Sequence, residues 1–200
     1  MSASLFEEHG LVADGPPSAP PVDNSQFLFF IGLAVDTVLF ITFAGGYFLL
    51  RASAPSWPPP DLPHLHPALV GWSAIALFLG AVLLTVAVIA QHKNALRTMR
   101  GSLMLSIIFL TTFLGLNAIE WRSIFASGLP IRTIFGGIYF VLTGLFHVHI
   151  AGCMLYIISK YRWTRRWRRY TRSSISIARL SYFIDAMLVL WLAIFGVIYL

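Results

Sequence analysis

His147 and His149 stand in the middle of an apolar run from about Thr133 to Ser159. Imidazoles ligate metals and carry protons near neutral pH. Inside a stretch long enough to cross a bilayer they are costly unless they face protein rather than lipid. Two positions apart, they point about 200° apart around a helix. They therefore cannot look at the same neighbour, and a metal ion shared between them is geometrically poor.

Carboxylates are the natural partners. Asp36 lies in the first apolar run, about 13 Å along a helix from its inner end, and His149 lies about 15 Å from the inner end of the antiparallel fourth. The depths match, so an Asp36–His149 contact is within reach, and such a donor favours the charged carboxylate that burial disfavours. A polar clasp between helices, a place beside a proton route, and direct redox or metal work all use these residue types. Glu120 closes the third apolar run beside Trp121 and Arg122, a position from which its carboxylate can reach the interface. Asp185 lies one turn into the fifth run, where it can snorkel or accept a hydrogen bond from a neighbouring helix. His92 is expected to be a solvated end residue. His64 and His66 have metal-like spacing, but two ligands make a weak site. Asp36, His149, His147, Asp185 and Glu120 are thus the candidate polar and proton-route residues, and none is assigned a catalytic, cofactor or metal-ligating role. Haem held between two histidines needs them on facing helices at matched depth, and only the fourth run carries central ones. No phosphate-binding glycine loop, nucleophile elbow or zinc-protease helix motif is present.

The elements that position these residues are membrane helices. Of 200 residues, 58% are hydrophobic and 11% charged, more apolar surface than a soluble domain of this size can hide. Continuous rather than alternating apolar runs argue against β-spans. The reading is an all-α bundle of five transmembrane helices over about 27–50, 68–90, 102–121, 133–159 and 180–200. They form one domain from 26 to 200, behind a disordered Pro-rich tail over 1–25 that shows no signal peptide. Trp57-Pro58-Pro59-Pro60 marks an irregular loop after the first span. The glycine pairs Gly45-Gly46 and Gly136-Gly137 permit close helix approach. The single cysteine, Cys153, excludes an internal disulfide and a two-cysteine copper centre.

The net charge of +6 does not point to nucleic acid, because the basic residues flank apolar runs. With five crossings, 11 of the 14 lysines and arginines fall on one face, and Arg51, Arg122 and Arg132 on the other. Positive residues stay in the cytoplasm, so the N-terminus is expected inside and the C-terminus outside. The segment Tyr161–Arg172 carries Trp163 and Trp167 among Arg165, Arg166, Arg168 and Arg169 and two further arginines. It suits an interfacial anchor on anionic lipid, or docking to a partner subunit.

Thr143, Gly144, His149 and Gly152 match a Thr-Gly-x-His-Gly-x-His-Val pattern with a glycine soon after. Phe146 replaces its first histidine, and His147 falls where a small residue is usual. Asp36, Phe40, Tyr47, Phe48 and Arg51, then Trp57-Pro58-Pro59, fall in register with a first helix and its following loop. Leu116, Ala118 and Glu120 fit Leu-Gln-Ala-x-Glu-Tyr, with Asn117 and Trp121 departing. Phe183-Ile184-Asp185 fits the end of Trp-His-Phe-Val-Asp, with Ser181 and Tyr182 departing and the next tryptophan, Trp191, one turn late. In this order the motifs resemble subunit III of the haem-copper terminal oxidases, in a short five-helix form. The resemblance implies an accessory subunit of a bacterial cell-membrane respiratory complex that passes electrons to O2 and translocates protons. It further implies no haem or copper in this chain, with both held by partner subunits I and II. Contact with phospholipid, and support of proton uptake and durability in subunit I, follow from the same resemblance. Longer relatives have two further N-terminal helices, which form half of a lipid-filled cleft. Two other classes fit the polar residues: a small transporter or channel with a buried Asp/His path, and a subunit of a copper-dependent membrane oxygenase.

Overall fold

A computed structural model describes residues 24–55, 66–128, 133–166 and 175–199. These contain five helices and no strand: α1 (Asn24–Ser53), α2 (Pro67–His92), α3 (Leu96–Ala126), α4 (Ile134–Arg166) and α5 (Ile175–Tyr199). All five are long and apolar enough to cross a membrane, and the chain is a multi-pass membrane protein. Each helix outruns the apolar run that predicts it. At 31 residues α3 is about 46 Å long, against about 30 Å of hydrocarbon. The extra turns carry polar ends such as Arg97 and Arg100, because a helix satisfies its own backbone wherever the surroundings change. Trp57–Pro60, His64, Arg132, Trp167, Arg168, Arg169 and the tail before residue 24 lie outside the described residues.

The tightest unit is the antiparallel pair α2–α3. Asn94 adopts φ 55° just past the end of α2. Its N–H bonds the Gln91 carbonyl (3.0 Å), and that of Ala95 bonds Ala90 (2.8 Å). This is a Schellman stop, with asparagine in the left-handed position usually given to glycine. It reverses the chain in three residues. The buried stripe of α2 is small, including Ser73, Ala76, Gly80, Ala81, Ala87 and Ala90, which lets α3 approach closely. Ser106 Oγ donates across the pair to the Gly80 carbonyl at 2.9 Å.

α4 packs on α3, and α5 closes the group by touching both α2 and α4. The core between these four helices holds Leu77, Leu84, Leu110, Phe113, Leu142, Phe146, Met187 and Trp191, all fully buried. Among the described residues α1 touches only α4 and α5, and lies outside that ring. Just 6% of its apolar window is buried. Of the glycines singled out in sequence, Gly45 and Gly46 face no neighbour among the described residues. Close approach occurs instead at Gly80 and Gly144.

Candidate functional site

α1 is pinned to the ring at mid-length. His149 Nε2 lies 3.1 Å from Asp36 Oδ1, and His149 Nδ1 lies 2.7 Å from the Leu145 carbonyl one turn earlier. A carbonyl oxygen only accepts, so Nδ1 carries a proton and donates it. The remaining proton then lies between Nε2 and Oδ1, on nitrogen as an ion pair or on oxygen as a neutral pair. The contact is therefore an acid–base couple sharing one exchangeable proton. Aromatic rings fix the imidazole from both sides. Phe40 of α1 meets it edge-on at 5.9 Å, and Phe183 of α5 stacks on it at 6.2 Å. Asp36 and Phe40 are four apart and share a helix face. The couple is not sealed: 17% of the Asp36 side chain and 23% of the His149 side chain remain exposed.

Beside it, α1, α4 and α5 enclose a groove of about 390 Å3 lined by Phe29, Gly152, Cys153, Tyr156 and Phe183, with Arg179 as its charged residue.

His147 faces the other way, as two positions on a helix require. Its ring stacks on Phe113 at 5.7 Å and meets Trp121 at 5.4 Å and Trp191 at 5.8 Å. Between the two histidines Val148 points outward and is exposed. α4 thus separates a polar couple toward α1 from an aromatic cluster toward α3 and α5.

Glu120 departs from the sequence expectation. Its carboxylate is not exposed at the surface; it is fully buried within the protein. Oε1 accepts the His66 backbone N–H at 2.9 Å, and Oε2 lies 3.1 Å from His66 Nδ1. His66 immediately precedes α2, whose N-terminus has no side-chain cap of its own and begins with Pro67. Glu120 supplies from α3 the acceptor and negative charge that a helix N-terminus favours. The sequence reading missed His66 in this role and grouped it with His64. The available signal was a helix start without a capping residue, opposite an acid at the end of the third apolar run. Among the described residues no group of three or more His, Cys, Asp or Glu could hold a metal ion.

Asp185 is half-buried on α5 and makes no hydrogen bond or ion pair to a described residue. His92 is exposed at the end of α2, and Trp163 and Arg165 are exposed on the last turns of α4. Three cross-links were not anticipated. Trp121 Nε1 donates to Thr143 Oγ1 at 3.2 Å, Thr85 and Ser181 hydroxyls meet at 3.1 Å, and Arg100 donates to the Thr164 carbonyl.

No protein-family model matches the chain. It is 27% identical over 187 residues to cytochrome c oxidase subunit 3 of Synechocystis, covering 89% of this chain and 76% of that protein. Probable cytochrome c oxidase subunits 3 of Mycobacterium bovis and Mycobacterium tuberculosis are 24% identical over 182 residues, 88% of this chain and 82% of theirs. The chain is related to oxidase subunit III. The subunit III motifs read from sequence meet at the site: Asp36, Phe40 and His149 form the couple with its rings. Gly144 fits beneath Trp121, where a Cβ would stand 3.1 Å from the indole. Three departures from the subunit III pattern also meet, since Trp121 and Trp191 both pack on His147.

Proposed function

We propose that this chain is the accessory subunit III of a haem-copper terminal oxidase, without haem or copper of its own, packed beside catalytic subunit I with subunit II in the same complex. Its task is to support proton uptake and durability in subunit I while electrons pass to O2. The observation that carries this reading is the Asp36–His149 couple at 3.1 Å, left partly open on α1 in a chain related to subunit III over 89% of its length. An acid–base couple at that depth can hold and release a proton for a neighbour, and an intramembrane pair is expected to meet protein rather than lipid. The outer face of α1 supports a partner there, since Gly45 and Gly46 leave room for another helix.

The N-terminus lies inside and the C-terminus outside, which puts the basic ends of α3 and α4 in the cytoplasm. Arg165, Arg166, Arg168 and Arg169, with Trp163 and Trp167, then form a belt at the inner lipid surface. The groove beside Asp36 suits a phospholipid acyl chain, with Arg179 near the headgroup level. Glu120 holds the outer end of the bundle, while His147 and Asp185 line its interior.

Purification in mild detergent tests the assignment: the chain should co-purify with a larger haem-containing subunit. Asp36→Ala should leave haem content and optical spectrum unchanged, lower initial oxygen consumption modestly, and hasten loss of activity during turnover. Recovery as a stable, haem-free monomer with ion flux in liposomes would favour a transporter. Loss of a haem or a stoichiometric copper from Asp36→Ala would assign the cofactor to this chain and overturn the proposal.

A further inference from the structure

The aromatic cluster on the far side of α4 contains polar atoms that the protein leaves unpaired. Trp191 is fully buried, and its indole Nε1 has no hydrogen-bond partner among the described residues. Both ring nitrogens of His147 are likewise buried and without one. The Thr143 backbone carbonyl one turn back is the acceptor within reach of the ring, but neither ring nitrogen meets hydrogen-bonding geometry with it. The polar side chains on neighbouring turns bond elsewhere and make no hydrogen bond to either ring. Thr143 Oγ1 already donates to the Tyr139 carbonyl at 2.6 Å and accepts from Trp121, and Asn117 Nδ2 donates to the Phe113 carbonyl at 2.9 Å.

A buried polar group without a partner is strongly disfavoured, the more so where lipid surrounds the bundle. A donor and an imidazole together in one cluster make a complementary set. The indole offers one N–H, and a singly protonated imidazole offers one donor and one acceptor. The two rings meet edge to face at 71°, with centroids 5.8 Å apart. The rings are thus neighbours, yet their nitrogens make no direct bond.

We propose that an internal water molecule is bound between α3, α4 and α5, accepting the Trp191 indole N–H and hydrogen-bonded to the His147 ring. Water is the ligand whose chemistry fits, because it accepts from the indole N–H and can donate to or accept from the imidazole at once. Two to four polar partners are what a buried water needs. The water belongs to the side of α4 turned away from Asp36 and His149, so it fastens the ring of helices and does not feed the couple.

Water-edited solid-state NMR tests this on the full chain, purified with whatever subunits accompany it, carrying 15N-labelled tryptophan and histidine. Polarisation from water protons should reach both the Trp191 indole and the His147 ring at short mixing times. In His147→Phe the transfer to Trp191 should be lost; in Trp191→Phe the transfer to His147 should be lost. The wild-type spectrum decides the matter even if both variants fail to accumulate. Absence of transfer to either group would overturn the proposal. So would a direct nitrogen–nitrogen coupling between Trp191 and His147, since that would show the two rings bonded without water.

Discussion

A buried carboxylate whose two oxygens are both engaged by one residue is a joint, and its parts can be tested separately. Glu120 Oε1 serves the His66 backbone and Oε2 its imidazole. Glu120→Gln keeps an acceptor for the backbone N–H, whereas Glu120→Leu leaves that amide unpaired at the start of α2. We expect Glu120→Leu to destabilise by about 1–3 kcal/mol and Glu120→Gln by clearly less. His66→Ala, which retains the backbone bond, should be closer to the glutamine variant. Thermal midpoints in detergent measure all three, and equal losses in His66→Ala and Glu120→Leu would show that the imidazole carries the joint. The pairing of Asp36 with His149 was legible in sequence because the fixed rise of a helix converts residue number into depth. The partner of Glu120 was not, because His66 follows a Pro-rich loop in which position no longer maps onto depth.

At the level of helices, contact is governed by where side chains are missing. Gly144 of α4 lies under the Trp121 ring of α3, and the Trp121–Thr143 hydrogen bond holds the indole there. Gly144→Val should therefore cost about 1–3 kcal/mol through overpacking. Thr143→Val, which frees the indole, should reduce the additional loss when the two changes are combined. A double-mutant cycle on thermal midpoints reads this coupling; strictly additive losses would show that Trp121 is not held by Thr143. The five helices themselves were legible as apolar runs. Which glycines mark the crossings was not: Gly45-Gly46 are adjacent and conspicuous yet open, while isolated Gly80 and Gly144 do the packing. Adjacency in sequence says nothing about the neighbour across the interface.

On the scale of the molecule, the start of α3 and the end of α4 lie together, joined by the bond from Arg100 to the Thr164 carbonyl. Cysteines placed at Arg100 and at Arg166 should therefore label from the same side of the membrane, the cytoplasmic one by the charge distribution, and a cysteine at Leu200 from the opposite side. Labelling of the first two from opposite sides would break the five-crossing arrangement. That five helices are each long and apolar enough to cross a membrane was legible from hydropathy. The arrangement of α2 to α5 as a closed ring with α1 outside it was not, because a helix that faces lipid and one that faces apolar protein carry much the same residues.

That outside position has a consequence for how the protein is made. α1 is synthesised first, yet the two helices it touches come last, and His149 follows Asp36 by more than a hundred residues. At about 5–20 residues per second, the aspartate waits on the order of ten seconds for its imidazole. During that interval the first helix carries an unmatched acid in the bilayer, held only by its apolar remainder. A chain stopped after Ala126 should remain in that state indefinitely. It should be degraded faster than the full chain in pulse-chase experiments, and Asp36→Leu in the same truncated chain should lengthen its lifetime. Equal lifetimes would mean that a partner other than α4 receives the newborn helix.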